Sequence, residues 1–273
     1  GIPFGVLGHN EHLGWGFTMF ENDDVDFYTE DIENGQYQSN GKWQSLASST
    51  EIIKVKDAED VTLNIQATHH GPIVNNIFDE IDSTMSPVSV WWAYAQFPST
   101  VVDALYQLNH AENIAQTTAA SAKIPAPGLN LMYADDENIA WWALAKLPIR
   151  ADHVNSKLIL DGSSGKDDHL GYYTFSKKPN NINPKSGMVY TTNNQPDSVD
   201  GVLYPGYYRP KDRASRAMEL LSKRQLWTQA HHQEVQLDIT SPTDPKLAKL
   251  IAELILANNN DFEWIADALN GWN

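Results

Sequence analysis

The chain has 273 residues, of which 19 are basic and 35 acidic, so its formal net charge at pH 7 is −16. Such a surface repels phosphate backbones, which argues against a nucleic-acid partner. The chain contains no cysteine, which excludes disulfides, a thiolate nucleophile and a zinc site with cysteine ligands. Hydrophobic residues make up 41% of the chain, but no apolar run reaches the roughly 18 residues of a membrane span. We therefore expect a globular fold without a membrane span.

The first third of the chain has the pattern of β structure. Short runs separated by turn signals predict strands over 13–20, 25–32, 50–55, 61–68 and 88–94. The pair Asn40-Gly41 lies between two alternating runs, which is a strong signal for a tight hairpin. The stretch from about 24 to 70 is polar and rich in such turns, and we predict that it forms a small all-β insertion.

The remainder of the chain is predicted to be mixed and then helical. We expect helices over 100–108 and 112–122, a hairpin over 129–134 and 139–145, and a strand over 186–192. Residues 149–187 are rich in Gly, Pro, Asn and Ser and are predicted to form a long surface connection. Four helices are predicted at the end, over 213–223, 228–237, 245–257 and 262–269. This order of strands, mixed elements and helices predicts an α+β fold.

A dense acidic turn, Asn22-Asp23-Asp24-Val25-Asp26, precedes one predicted strand. Three carboxylates within four residues suit a cation that prefers oxygen ligands, such as Ca²⁺. The turn is not an EF-hand, because it lacks the glycine at the sixth position and the glutamate at the twelfth. A solvated turn without a metal explains the same residues, and the sequence leaves both interpretations open.

Two histidine pairs are candidates for metal binding. His69 and His70 follow a predicted strand, where alternate side chains point to opposite faces, so we expect a structural role and no shared metal. His231 and His232 lie on a predicted helix with Glu234. They lack the i, i+4 spacing of a helical zinc site, so we expect a solvated helix face.

A polar segment containing Asn193 and Asn194 ends the predicted strand over 186–192. An Asn amide at a strand end can donate a hydrogen bond to an oxyanion, or it can satisfy its own turn. Arg209, Arg213 and Arg216 are nearby, and the last two share a helix face. Surface ion pairing explains these arginines equally well. No Ser-His-Asp order and no Gly-x-Ser-x-Gly elbow is present.

Several short segments form a series along the whole chain. They are Gly8-His9-Asn10, Trp15-Gly16-Phe17-Thr18, Asp23-Asp24-Val25-Asp26, His70-Gly71, Pro127-Gly128-Leu129-Asn130, Tyr133-Ala134-Asp135, Asn193-Asn194-Gln195-Pro196 and Asp212-Arg213. In this order the series resembles the penicillin acylase family of N-terminal-nucleophile hydrolases, and it spans nearly all of the chain. One departure is Glu137-Asn138, where the family has Gly-Asn.

The resemblance implies a fold and a reaction. The fold would be part of an αββα sandwich, with a core segment over 1–240 that contains the all-β insertion at about 24–70, and a helical segment over 241–273. The reaction would be hydrolysis of a linear amide to a carboxylic acid and an amine. An N-terminal Ser or Thr would be the nucleophile, and no cofactor would be required.

The resemblance also assigns roles to residues. The backbone N–H of Met19 and the side chain of Asn193 match the two donors of the oxyanion hole. Arg213 matches the arginine that orients this asparagine, with Arg216 as a competing assignment. Asp23, the carbonyl of Val25 and Asp26 match a Ca²⁺ site of some members, to which the α chain contributes a further ligand.

Gly1 is not a nucleophile, and it aligns downstream of the family's N-terminal residue. We therefore expect an inactive internal segment of the β chain. Its partners would be the α chain, the rest of the β chain and a small acylated amide, in a periplasmic or secreted parent. β-Lactam side-chain amides, acyl homoserine lactones and acylated peptides all stay open as substrates.

The alternative is a non-catalytic module that binds glycans or peptides through its 9 Trp and 11 Tyr residues. Exposed aromatic platforms would favour this module. Burial of the pairs Trp91-Trp92 and Trp141-Trp142 would favour the acylase.

Overall fold

The computed structural model describes residues 3–75, 77–198, 201–224, 226–258 and 260–272. The fold is a mixture of helices and sheets. The strands are β1 Gly8–His9, β2 Gly14–Met19, β3 Val25–Thr29, β4 Ile32–Glu33, β5 Gln36–Ser39, β6 Lys42–Ser45, β7 Ala47–Ile53, β8 Val61–Ala67, β9 Val88–Trp92, β10 Leu129–Ala134, β11 Ile139–Leu144, β12 Pro148–Ile149, β13 Leu160–Asp161, β14 Gly171–Tyr172 and β15 Asn180–Ile182. The α-helices are α1 Ala93–Gln96, α2 Val101–Asn109, α3 Ile114–Ser121, α4 Asp212–Leu221, α5 Gln229–Gln236, α6 Asp244–Asn258 and α7 Glu263–Asn270.

The chain divides into two units. The first unit consists of Gly1–Asn183 and Pro196–Tyr207, and the second consists of Pro184–Gln195 and Tyr208–Asn273. The strands named above and α1–α3 belong to the first unit, and α4–α7 belong to the second. The helical segment that we predicted from residue 241 begins as α6 and lies in the same unit as α4 and α5.

An antiparallel sheet with the order β1-β2-β10-β11-β15 forms the centre of the first unit. The predicted hairpin over 129–145 is confirmed as β10 and β11, and Asp135 closes its turn by accepting the N–H groups of Glu137 and Asn138. One face of this sheet packs on α2 and α3. The buried residues of this core include Leu131, Tyr133, Trp142, Leu144, Ala104, Leu108 and Ala120.

A second sheet places β3 between β9 and β13. β3 pairs antiparallel with β9 and parallel with β13, which returns from the segment 149–187. Asp26, Tyr28 and Glu30 alternate along the chain and are all buried, because successive side chains of a strand point to opposite faces. The other strands between 24 and 70 form separate sheets, β4-β5-β6 and β7-β8. The hairpin at Asn40-Gly41 is confirmed, with φ of 52° and 72° at the two turn residues.

Two predictions for the later half of the chain were wrong. Residues 149–187 are not only a surface connection, because they contribute β12–β15 and the buried side chains of Leu160 and Lys178. Residues 186–192 do not form a strand. Gly187 has a φ of 69° and donates its N–H to the carbonyl of Pro184, so the chain turns here. Strand-like pairing in this segment is confined, within the described residues, to a bridge between Asn194 and Arg209.

The helices agree with the periodicity of the sequence. α2 to α7 start and end within about two residues of the predicted bounds, which is the usual uncertainty of helix ends. Asn113 caps α3 by accepting the N–H of Gln116. Thr228 caps α5 in a reciprocal arrangement with His231. Within the described part of the chain, no helix has both the length and the apolar character that a membrane crossing requires.

Gly71 is required by a close backbone approach. Its φ is 146°, and a Cβ atom at this position would lie 2.0 Å from the carbonyl oxygen of Val90. We expect Gly71→Ala to lower the free energy of unfolding by about 3 kcal/mol or more, from backbone strain and overpacking. Gly16→Ala is the matched control, because nothing lies within 4 Å of its added Cβ. Equal denaturant midpoints for the two variants would contradict this interpretation.

Candidate functional site

Asn193 lies in an irregular turn of the second unit. Its φ is 62°, a left-handed conformation that Asn tolerates better than most residues. Its carbonyl oxygen accepts the N–H of Arg209 at 2.9 Å. Oδ1 of the neighbouring Asn194 accepts hydrogen bonds from the backbone N–H of Thr192 at 3.3 Å and from its hydroxyl at 2.9 Å. The backbone on both sides of Asn193 is therefore held in place by hydrogen bonds.

Arg213 holds the side chain of Asn193. Its Nη2 donates to Oδ1 of Asn193 at 2.9 Å and to the backbone carbonyl of Thr192 at 2.6 Å. A guanidinium group has no acceptor, so the amide atom that it contacts is the oxygen. This contact fixes the orientation of the amide and makes Nδ2 its donor end. The expected contact between the two residues is present, and the Asn193 amide does not serve its own turn alone.

Arg216 is bound elsewhere. Its guanidinium forms two hydrogen bonds to the carboxylate of Asp238, at 2.6 and 2.9 Å, and further bonds to Glu219 at 2.9 Å. The hydrogen bond from Arg216 lowers the pKa of Asp238 to about 2. Because this fork is already paired with carboxylates, the geometry favours Arg213 over Arg216 as the residue that orients Asn193.

Met19 is the last residue of β2, opposite Leu129 in β10. The next residue, Phe20, donates its N–H to the carbonyl of Gly128. Hydrogen bonding alternates along an antiparallel ladder, so the N–H of Met19 points away from β10. Nδ2 of Asn130 donates to the carbonyl of Met19 at 2.9 Å. Met19 belongs to the first unit and Asn193 to the second, and their convergence on one oxyanion stays a prediction.

The acidic turn is buried rather than solvated. Asp23 and Asp26 are 3% and 1% exposed. Nη2 of Arg150 lies 2.7 Å from Oδ2 of Asp26 and 3.6 Å from Oδ2 of Asp23. Nε2 of His169 lies 2.7 Å from the same Asp26 oxygen. The segment 149–187 therefore supplies two nitrogen groups to this pair of carboxylates.

The predicted Ca²⁺ ligands only partly fit that ion. Oδ1 of Asp23 and of Asp26 are buried and have no hydrogen-bond partner among the described residues, and unpaired carboxylate oxygens suit calcium. The carbonyl of Val25 points away from β9, since the adjacent Asp24 carbonyl accepts the N–H of Ala93. However, the guanidinium of Arg150 bridges the two carboxylates. As they are placed, these residues hold an arginine where a cation would bind, and they do not fit Ca²⁺ in addition.

Burial dominates the titration of this turn. Loss of hydration raises the pKa of Asp23, and the hydrogen bond from Ser156 and the charge of Arg150 offset only part of this effect. The pKa of Asp24 is raised for the same reason, and the neighbouring charge of Asp23 adds to it. The site therefore favours a positive partner.

The prediction that His69 and His70 point to opposite faces was wrong. β8 ends at Ala67, so strand alternation does not extend to these residues. Their ring centroids are 3.8 Å apart, and both rings contact Asp168. Nδ1 of His70 lies 2.9 Å from Oε1 of the buried Glu30. The sequence contains one indication of this cluster. Glu30 follows Asp26 by four residues, so strand alternation that continues past β3 places both side chains on the same side.

The second histidine pair lies on a helix surface, as expected. His232 and Glu234 are exposed on α5, and Glu234 pairs with Arg224 at 2.7 Å. Nδ1 of His231 accepts the N–H of Thr228 and so helps to cap the helix.

Comparison with known proteins identifies the family. A sequence model of the family described as penicillin amidase matches residues 1–273. The chain belongs to the penicillin amidase family. It is 28% identical over 239 residues to the acyl-homoserine lactone acylase QuiP of Pseudomonas aeruginosa, a match that covers 81% of this chain and 27% of that protein. It is 30% identical over 253 residues to the penicillin G acylase of Escherichia coli, covering 87% of this chain and 29% of that protein.

A solved structure supports the fold. The thermostable penicillin G acylase from Alcaligenes faecalis superposes with a TM-score of 0.79 at 23% sequence identity. The match covers 98% of this chain and 48% of that chain. The chain thus has a fold similar to that of penicillin G acylase. It spans less than a third of the length of each of the two curated relatives above. The αββα description stays a prediction.

The two members of each tryptophan pair differ in burial. Trp91 and Trp142 are buried at 5% and 3% exposure, whereas Trp92 is 47% exposed and Trp141 is half-buried. Strand alternation turns neighbouring residues to opposite faces, so burial of both members, the observation that would have favoured the acylase, is found for neither pair. The indole of Trp141 donates to Oδ1 of Asn130, the residue that holds the carbonyl of Met19.

Arg150→Gln tests whether the guanidinium occupies the position of a cation. We expect the variant to be destabilised by about 3 kcal/mol, because Asp26 keeps a buried charge and loses one of its two partners, Arg150 and His169. Millimolar Ca²⁺ should raise the melting temperature of the variant more than that of the wild type. Lys157→Gln, a change at an exposed residue of the same segment, is the control. Equal calcium responses in all three proteins would contradict the assignment.

Proposed function

We propose that the protein to which this chain belongs hydrolyses linear amides to a carboxylic acid and an amine. The single observation that carries this proposal is the hydrogen bond from Arg213 to Oδ1 of Asn193, in a chain of the penicillin amidase family. It holds Oδ1 and so makes Nδ2 the donor atom of the Asn193 amide. A donor fixed before the reaction is what stabilisation of an oxyanion requires.

The reaction would proceed through an acyl-enzyme. A Ser or Thr hydroxyl supplied from outside residues 1–273 attacks the amide carbonyl, while its own α-amine accepts the hydroxyl proton. The carbonyl oxygen becomes negative and accepts a hydrogen bond from Nδ2 of Asn193. Collapse of this intermediate breaks the C–N bond, and the amine leaves with a proton. Water then attacks the ester and releases the acid.

Arg213 would act as a positioning residue. The rotation of an Asn amide is only weakly restricted, so an amide without a second partner presents its donor part of the time. The contacts of Arg213 with the Asn193 side chain and the Thr192 carbonyl fix both the amide and its backbone. The amide then needs no reorganisation when charge develops on the substrate oxygen.

The substrate class follows from the relatives. One is named for acyl-homoserine lactones and another for penicillin G, and both kinds of molecule carry an acyl group on a small amine. We propose a small acylated amide as the substrate. We also propose that the rest of the precursor completes the site, that the enzyme is periplasmic or secreted, and that hydrolysis requires no cofactor.

Asn193→Ala in the complete enzyme should lower kcat by about 10²- to 10³-fold with little change in KM, because the lost bond forms mainly in the transition state. Steady-state hydrolysis of an acyl homoserine lactone and of penicillin G measures this effect. A kcat within a factor of about two of the wild type would exclude an oxyanion role for Asn193.

Arg213→Gln should lower kcat by about 10- to 100-fold, the loss of roughly one charged hydrogen bond. Arg216→Gln is the matched control, since it removes a nearby arginine that is bound to Asp238 and Glu219. Its kcat should match that of the wild type. If the two variants lose the same activity, a general effect on α4 explains the loss and a positioning role for Arg213 is wrong.

The 273-residue chain alone should hydrolyse no amide, because it spans less than a third of the two acylases above and the proposed reaction needs the N-terminal Ser or Thr of the complete enzyme. Release of amine from penicillin G by the purified chain, compared with a protein-free blank, is the measurement. Hydrolysis above the blank would show that the nucleophile lies within this sequence.

A further inference from the structure

His69, His70 and Asp168 converge in the first unit and are distant in sequence from Met19 and Asn193. Each offers one ligand atom, and the three atoms lie within 4.8 Å of one another. Nε2 of His70 is 3.0 Å from Oδ1 of Asp168, and Nε2 of His69 is 3.6 Å from Oδ2 of the same carboxylate. Two imidazole nitrogens and a carboxylate are a ligand set that divalent transition metals use.

Glu30 determines which nitrogen of His70 faces Asp168. Oε1 of Glu30 accepts the hydroxyls of Thr68 at 2.8 Å and Ser89 at 2.6 Å, and it lies 2.9 Å from Nδ1 of His70. Because Nδ1 of His70 faces Glu30, Nε2 is the ring nitrogen that faces Asp168.

The other ring nitrogen of His70 faces a second carboxylate, since Nε2 lies 3.0 Å from Oδ1 of Asp168. A histidine that donates Nδ1–H to a buried carboxylate and presents Nε2 outward is the arrangement that supports metal-bound imidazole.

We propose that Nε2 of His69, Nε2 of His70 and the carboxylate of Asp168 bind a divalent transition metal ion, with Zn²⁺ the best match. Three protein ligands leave a fourth position open for water or another ligand. This site goes beyond amide hydrolysis and does not use Met19, Asn193 or Arg213.

The surroundings favour a preformed and accessible site. The ring of Tyr28 stacks on that of His70 at 3.7 Å with an interplanar angle of 6°, which fixes the imidazole. The side chains of His69 and Asp168 are 37% and 29% exposed, so an ion can enter from solvent. A bound metal would link the turn after β8 to the segment before β14, and would thereby stabilise the first unit.

Metal binding is measured on protein stripped with a chelator and then dialysed. Titration with Co²⁺ should produce visible absorption bands of a low-coordinate site that saturate at one equivalent, and Zn²⁺ should abolish them. Zn²⁺ should also raise the melting temperature. His69→Ala and Asp168→Asn each remove one ligand, and we expect each to weaken Zn²⁺ binding more than tenfold.

His153→Ala is the matched control. His153 lies in the same segment, is exposed, and pairs with Asp167 at 2.9 Å, so its loss should leave the Co²⁺ bands and the Zn²⁺ affinity unchanged. Asp168→Asn removes the negative charge of the ligand but keeps the shape of the side chain next to His70, so a loss of Zn²⁺ binding in this variant is not explained by unfolding. Absence of Co²⁺ bands in the wild type, or equal Zn²⁺ affinity in wild type, His69→Ala and Asp168→Asn, would overturn the proposal.

Discussion

Burial of carboxylates along β3 is the constraint on which the first unit depends. Asp26 lies in this strand and Glu30 directly follows it, and each is 1% exposed. An isolated buried charge costs several kcal/mol, so each carboxylate needs a partner that donates or carries positive charge. Arg150 and His169 reach Asp26, and His70 reaches Glu30. The loops that carry these three residues are therefore held against one strand.

This constraint explains which parts of the fold the sequence predicts. Hairpins and helices follow from local signals, such as Asn40-Gly41 and the capping residue Thr228, and they were predicted with nearly correct bounds. The segment 149–187 carries no comparable local signal. Its Arg150 and His169 are placed by contacts with Asp26 of β3, which lies more than a hundred residues earlier in the chain. The composition of residues 149–187 indicates a surface loop. The pairing of the buried carboxylate of Asp26 with Arg150 and His169, which holds this segment against β3, is not visible in that composition.

The candidate site shows the same division. The resemblance to the penicillin acylase family singled out Asn193 and Arg213, and the hydrogen bond between them is present. The strand expected before Asn193 is absent, because the turn at Gly187 ends any regular pairing. His69 and His70 were assigned to opposite faces because β8 was predicted to extend to residue 68, next to His69, whereas it ends at Ala67. An error of one residue at a strand end is enough to reverse such a conclusion about side-chain direction.

The central claim is that Asn193, held by Arg213, donates a hydrogen bond to the substrate oxygen. The most direct test is a crystal structure of the complete enzyme with a tetrahedral transition-state analogue bound to its nucleophile. The account predicts that the oxyanion lies about 2.7–3.1 Å from Nδ2 of Asn193. An oxyanion more than about 3.5 Å from this nitrogen, out of hydrogen-bond range, would contradict it.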